Sequence, residues 1–154
     1  MIEPFEIRHA SYDDAETISA LVRHTIRISN ATDYPAVVID RLVGNFTADA
    51  IRGLMAKRVV WIAQQGHELQ GTASIDGDMV RTVFVSPEAQ GRGIGRMLMS
   101  AVEAFAADNG TELVRVQSSS TARSFYSRLG YFDVRAMQYG EERTFLMEKN
   151  LKLI

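Results

Sequence analysis

The stretch VFVSPEAQGRGIGRML, Val83 to Leu98, decides how this chain is read. It opens as a short run of β-branched and aromatic residues, the composition of a strand. Ser86-Pro87 ends the run, and Gly91, Gly93 and Gly95 follow at alternate positions with Arg92 and Arg96 among them. Ile94, Met97, Leu98, Ala101, Val102 and Phe105 then recur at helical spacing. Glycine weakens a helix and loses the most conformational freedom on folding, so a cluster of it between a strand and a helix needs a reason. Two reasons fit: positive φ, or close approach of the backbone to a ligand. Directly before a helix, such glycines leave the free N–H groups of the first turn uncovered, and the helix dipole adds a positive field. That is an anion site suited to phosphate or pyrophosphate. Arg92 and Arg96 add charge at the same end. A glycine-rich connection with solvated arginines is the plain alternative.

The two common nucleotide loops do not match. A Walker loop requires GxxxxGK[ST], and no Lys-Ser or Lys-Thr follows these glycines. A dinucleotide fingerprint requires GxGxxG, whereas here the pattern is GxGxG, with Arg96 where the last glycine would fall.

Upstream, Glu3–His9 reads as a strand, and Ser11 opens a helix with Asp14 as its capping-box partner. Ala15, Ile18, Leu21, Val22 and Ile26 form one buried stripe. Pro35 suits the first turn of a second helix, marked by Val38, Leu42, Val43 and Phe46. Thr47 caps a third, short helix. Arg58–Ala63, Leu69–Ser74 and Met79–Val85 then form a meander, with Asp76-Gly77 as a hairpin signal. Downstream, Asn109-Gly110 stops the glycine-loop helix. Leu113–Gln117 is a strand, Ser118–Thr121 offers caps for a helix ended by Gly130, and Tyr131–Tyr139 and Arg143–Lys149 are two last strands. This order predicts a single α/β (α+β) domain over residues 1–154, with one mixed sheet covered by helices on both faces.

The chain has 154 residues, a net charge of −2 and no cysteine. Cysteine nucleophiles, disulfides and thiolate metal sites are excluded, and His9, His24 and His67 show no metal-ligand spacing; no metal is expected. No basic block points to nucleic acid, no apolar run reaches the ~18 residues of a membrane span, and the N-terminus does not read as a signal peptide. A cytoplasmic location fits these features.

Two motifs carry a family resemblance. Val85-Ser86-Pro87 followed by Gln90-Gly91-Arg92-Gly93-Ile94-Gly95 resembles motif A of the GCN5-related N-acetyltransferases (GNAT). Ala122-Arg123-Ser124-Phe125-Tyr126-Ser127-Arg128-Leu129-Gly130-Tyr131 is similar to a second element of that family. The two stand in the family's order, one helix and one strand apart, and the element order matches over nearly the whole chain. The resemblance implies a mostly antiparallel sheet with a splayed strand pair, here Met79–Val85 and Leu113–Gln117. It implies acetyl-CoA or a close acyl-CoA as donor, with the pyrophosphate on the backbone N–H groups from Arg92 to Arg96. The pantetheine arm would lie between the splayed strands, bonded to backbone groups of Phe84 and Val85.

By the same resemblance, Tyr126 is the candidate general acid for the departing CoA sulfur. A phenol titrating near ~10 holds its proton at neutral pH and can donate it. Phe125 and Tyr126 also read as packing aromatics. Ser119 stands where relatives often have an asparagine on the pantetheine, and reads equally as a helix cap. Arg123 is either a 3′-phosphate contact or a solvated helix residue. Asp76, Asp78 and His24 are the nearest candidates for a base, and each reads as an ordinary surface group. Trp61 reads as core.

The family's acceptor site falls on Arg27–Pro35 and Gln138–Arg143, where Asp33, Glu141 and Glu142 suit a cationic amine and Tyr34 and Tyr139 suit walls. The same residues read as turn chemistry. The expected function is transfer of an acetyl group to a primary amine by direct attack. The acceptor is a small molecule, or else a protein N-terminus or lysine. A non-catalytic acyl-CoA-binding sensor or regulatory module is the rival from another class. Leu151, Leu153 and Ile154 offer a weak apolar surface for a homodimer.

Overall fold

The computed structural model describes residues 4–152. Its seven strands form one sheet. β1 (Phe5–His9), β2 (Val59–Gln65), β3 (Glu68–Asp76) and β4 (Met79–Val85) run antiparallel in turn. β5 (Leu113–Ser119) lies parallel to β4, and β7 (Glu142–Asn150) inserts between β5 and β6 (Phe132–Tyr139), giving the order β1-β2-β3-β4-β5-β7-β6. The parallel step is made by α4 (Ile94–Asp108), which crosses over the sheet between β4 and β5. The glycines at the three tight hairpins, Gly66, Gly77 and Gly140, all take positive φ, as such turns require.

Helices cover both faces. On one face lie α1 (Ala15–Ile28), α2 (Ala36–Gly44) and α3 (Ala48–Met55), on the other α4 and the short α5 (Arg123–Arg128). Neighbouring β2 residues divide between the two cores. Trp61 packs with Leu98, Met99 and Val102 of α4, and Ile62 with Ile18, Val22 and Ile26 of α1. A strand buried on both sides must be apolar throughout, which is why RVVWIA shows no alternation. The expected α1 stripe is buried as read, and so is Trp61.

Four local expectations change. Ser11 leads into a 3-10 turn at Tyr12–Asp14, and α1 begins only at Ala15. The reciprocal bond is still made, from Ser11 N–H to Asp14 Oδ2 at 2.7 Å. Pro35 stands just before α2 in an extended conformation, rather than in its first turn. β5 runs two residues past Gln117, because Phe145 and Thr144 of β7 pair with Ser118 and Ser119. The following helix is therefore short. Leu151 packs against the α4-side core, while Glu3, Leu153 and Ile154 lie outside the described residues. No described helix is long and apolar enough to cross a membrane.

Candidate active site

β4 and β5 pair only at Met79↔Arg115 and Val80↔Val116. Just past that point Thr82 has a φ of 54°, the β3–β4 register slips, and the strands part. This is a β-bulge at the place where it bends one strand away from its neighbour. The parting opens a cavity of about 740 Å³ between β4, β5, the glycine loop and the α1–α2 connection.

Strand alternation decides which backbone groups face the gap. Ser86 N–H bonds to Gln70 C=O, so in the antiparallel ladder Phe84 also turns its N–H and C=O toward β3, and Val85 turns its own away from β3. Val85 thus presents its backbone to the gap. Phe84 contributes a side chain, edge-on to Phe46 with ring centroids 6.0 Å apart, rather than backbone bonds. Gln90 reaches back from the loop: its Nε2 donates to Val85 C=O at 3.1 Å and to Ser29 Oγ at 3.2 Å.

The three glycines do two different jobs. Gly91 and Gly93 both have φ of 83° and open space where a Cβ would stand. Gly93 caps α4, and the first helical bond runs from Met97 N–H to Gly93 C=O. The N–H groups of Ile94, Gly95 and Arg96 have no acceptor in the helix and point outward from its end. Gly95 instead makes room: a Cβ there would lie 2.9 Å from the Phe125 ring. Gln90, Gly91, Gly93, Ile94, Gly95 and Arg96 line the cavity, and Arg92 is exposed beside them.

Gly95 lets α5 dock against α4, and that docking places Tyr126. Its side chain is buried and lines the cavity, and its hydroxyl has no hydrogen bond among the described residues. Burial raises the phenol's pKa well above its usual value. Ser119 lines the cavity and also caps the α5 turn, its Oγ accepting from Ala122 N–H at 3.2 Å. Arg123 is not brought to the cavity. Its guanidinium pairs with Asp133 and lies 4.0 Å over the Phe145 ring. Ser124 and Arg128 take the cavity-facing positions instead. They are four residues apart, hence on one face of the short helix, but each is two residues from Tyr126 and out of helical phase with it, so the pattern around that tyrosine did not mark them.

At the other end, Tyr34 and Glu142 line the cavity, whereas Asp33, Glu141 and Tyr139 do not. Tyr34 is a hub: its hydroxyl donates to Arg143 C=O at 2.6 Å and accepts from Ser120 N–H at 2.8 Å. Glu142 is ion-paired with Arg41 of α2 at 2.5 Å. Asn30, with Thr121 as partner, adds an amide missed by sequence reading.

None of Asp76, Asp78 and His24 lines the cavity. Asp78 faces Arg115 at 3.6 Å, and His24 Nε2 lies 2.9 Å from Glu88 Oε1. The Ser86 hydroxyl and that histidine hold the exposed Glu88 carboxyl at about 2. Among the described residues no three His, Asp or Glu side chains gather as metal ligands.

A cavity between parted strands, floored by a helix N-terminus and walled by a buried tyrosine, is a geometry that can be compared. The family model described as an acetyltransferase (GNAT) domain matches residues 30–151. The chain belongs to the GNAT family. It is therefore an N-acetyltransferase domain of the acetyl-CoA-dependent kind, an acyltransferase. The GNAT fold is shared with a GCN5-related N-acetyltransferase from Rhodopseudomonas palustris, at a TM-score of 0.90 and 21% identity, over 97% of this chain and 98% of that one. PaiA N-acetyltransferase from Thermoplasma acidophilum, solved with coenzyme A, aligns at a TM-score of 0.81 and 21% identity, over 96% and 99%. YncA from Salmonella typhimurium, solved with acetyl-CoA, aligns at 0.67 and 22%, over 97% and 95%. No curated protein matches the chain by sequence.

Proposed function

We propose that this GNAT domain transfers an acetyl group from acetyl-CoA to a primary amine of a small molecule. The observation that carries the reading is the single continuous cavity. It joins the free N–H groups at the start of α4 to the Val85 edge of β4 and the Tyr126 hydroxyl. A pyrophosphate fits the first, an amide-bearing pantetheine arm the second, and a thioester sulfur the third. Arg96 stands in the first turn of α4, and Arg128 is a second cation on the cavity wall.

The amine nitrogen attacks the thioester carbon, the C–S bond breaks, and one amine proton must leave. Tyr126 is placed to donate its proton to the departing sulfur. A thiol titrates near ~8.5, so a phenol raised above its usual ~10 donates uphill unless it regains a proton at once. The proton lost by the amine supplies that return, and the hydroxyl then works as a relay. Among the described residues Glu142 is the one carboxylate on the cavity wall, and Arg41 pairs with it. That end suits an amine on a mostly neutral body better than a polycation.

The first test is thermal unfolding with acetyl-CoA, CoA and ATP. A ligand at ~100 times its dissociation constant adds about 2.7 kcal/mol, which at this size raises the midpoint by several degrees. Stabilisation by both CoA species and not by ATP is expected. An amine panel followed by thiol release then separates an enzyme from a binding module. A protein that binds CoA and releases no thiol with any amine is a sensor.

A further inference from the structure

Thr82 is the one non-glycine residue at positive φ among the described residues, and a β-branched side chain is disfavoured there. Its place is critical. It lies two residues past Val80, the last residue of β4 that pairs with β5. The β4 bulge is held from both sides. The buried Ser74 hydroxyl donates to Arg81 C=O at 2.5 Å, and Arg58 Nη1 donates to Thr82 Oγ1 at 3.0 Å.

Arg58 reaches Thr82 from behind the functional cavity. Its side chain enters a small second cavity with Ile18, Leu54, Thr72 and Thr82, and Thr82 lines both spaces. Arg58 makes no ion pair with a carboxylate among the described residues. Burial, with the Arg81 charge behind it, pushes its pKa down. The Asp76 charge offsets this only in part; a half-buried cation with no carboxylate in direct contact is costly, and packing alone does not account for one.

We propose that Arg58 is a positioning residue for donor binding: by holding the Thr82 hydroxyl it keeps the β4 bulge that opens the gap for the pantetheine arm. Arg58 touches neither the donor nor the acceptor. It acts through the backbone of residue 82, on the cavity wall where β4 parts from β5. The inference rests on the donor reading above.

The test titrates the full chain with CoA and with adenosine 3′,5′-bisphosphate, which has the nucleotide end and no pantetheine arm. Wild-type protein that does not bind CoA overturns the donor reading. With wild-type binding established, Arg58→Met is expected to weaken CoA about tenfold and leave the bisphosphate unchanged, as loss of one charged hydrogen bond predicts. Thr82→Val keeps the shape, removes the acceptor, and is expected to do the same. It carries the test if Arg58→Met does not fold. Combining Arg58→Met with Thr82→Gly is expected to restore CoA affinity to within about twofold of wild type, because glycine takes positive φ unaided. A merely structural arginine would move stability and leave the ratio of the two ligands unchanged. Equal weakening of both ligands, no weakening, or no recovery in the double variant overturns the proposal.

Discussion

Tyr126 lies edge-on to Phe125 and Tyr131, with ring centroids 5.1 and 5.6 Å away. It is thus both a core residue and cavity wall, so the two sequence readings of this position do not compete. Burial raises its pKa, which extends the protonated form to higher pH. As pH rises, the acceptor amine loses its proton first and Tyr126 keeps its own. The kcat profile is therefore expected to rise and level, with no alkaline decline below pH ~10. Tyr126→Phe keeps the ring packing and is expected to lower kcat by ~10²–10⁴-fold, with little change in the unfolding midpoint. An unchanged kcat in that variant would remove the tyrosine from the chemistry. Arg123 shows the limit of reading one residue at a time. Motif position brought it forward, yet Asp133 and Phe145, which occupy it, come from strands later in the chain.

Elements formed largely where local pattern placed them, since caps, hairpin glycines and apolar stripes act over a few positions. The glycine loop separates pattern from use. Gly93 and Gly95 look alike in sequence, but Gly93 needs positive φ and Gly95 needs space. Gly93→Ala is expected to cost roughly 1–2 kcal/mol through backbone strain and to weaken CoA binding strongly, because the strain falls on the turn where the pyrophosphate is proposed to bind. Gly95→Ala drives a methyl into the Phe125 ring and is expected to cost ~1–3 kcal/mol through overpacking. It should also lower kcat, by shifting α5 and Tyr126. Thermal unfolding with and without CoA, beside kcat, distinguishes the two. The β5–α5 boundary was misplaced because its cause is non-local: β7 extends the strand through Ser119.

Across the molecule, the sheet edge and the first helix are joined by Arg8. Its guanidinium donates to both Asp14 oxygens, at 3.0 and 3.1 Å. Those bonds lower the Asp14 pKa, so the contribution is complete above the unfolded value of ~3.9 and is lost as pH falls through the folded value. Arg8→Met is expected to lower the urea midpoint at pH 7, with the gap to wild type closing as pH drops below about 4. A gap independent of pH would show that the pair does not couple β1 to α1. By itself the sequence determined the element order, the two-sided core, the glycine loop ahead of α4 and the family. Each of these depends on periodicity or on motifs within about a dozen residues. Only the tertiary structure decided that Val85 rather than Phe84 presents its backbone to the gap, that Arg128 displaces Arg123 at the wall, and that Glu142 reaches the cavity already paired. Those outcomes hang on contacts between separate elements: the β3–β4 ladder, Asp133 and Phe145 around Arg123, and Arg41 against Glu142. A contact between distant strands leaves no period in the chain that makes it.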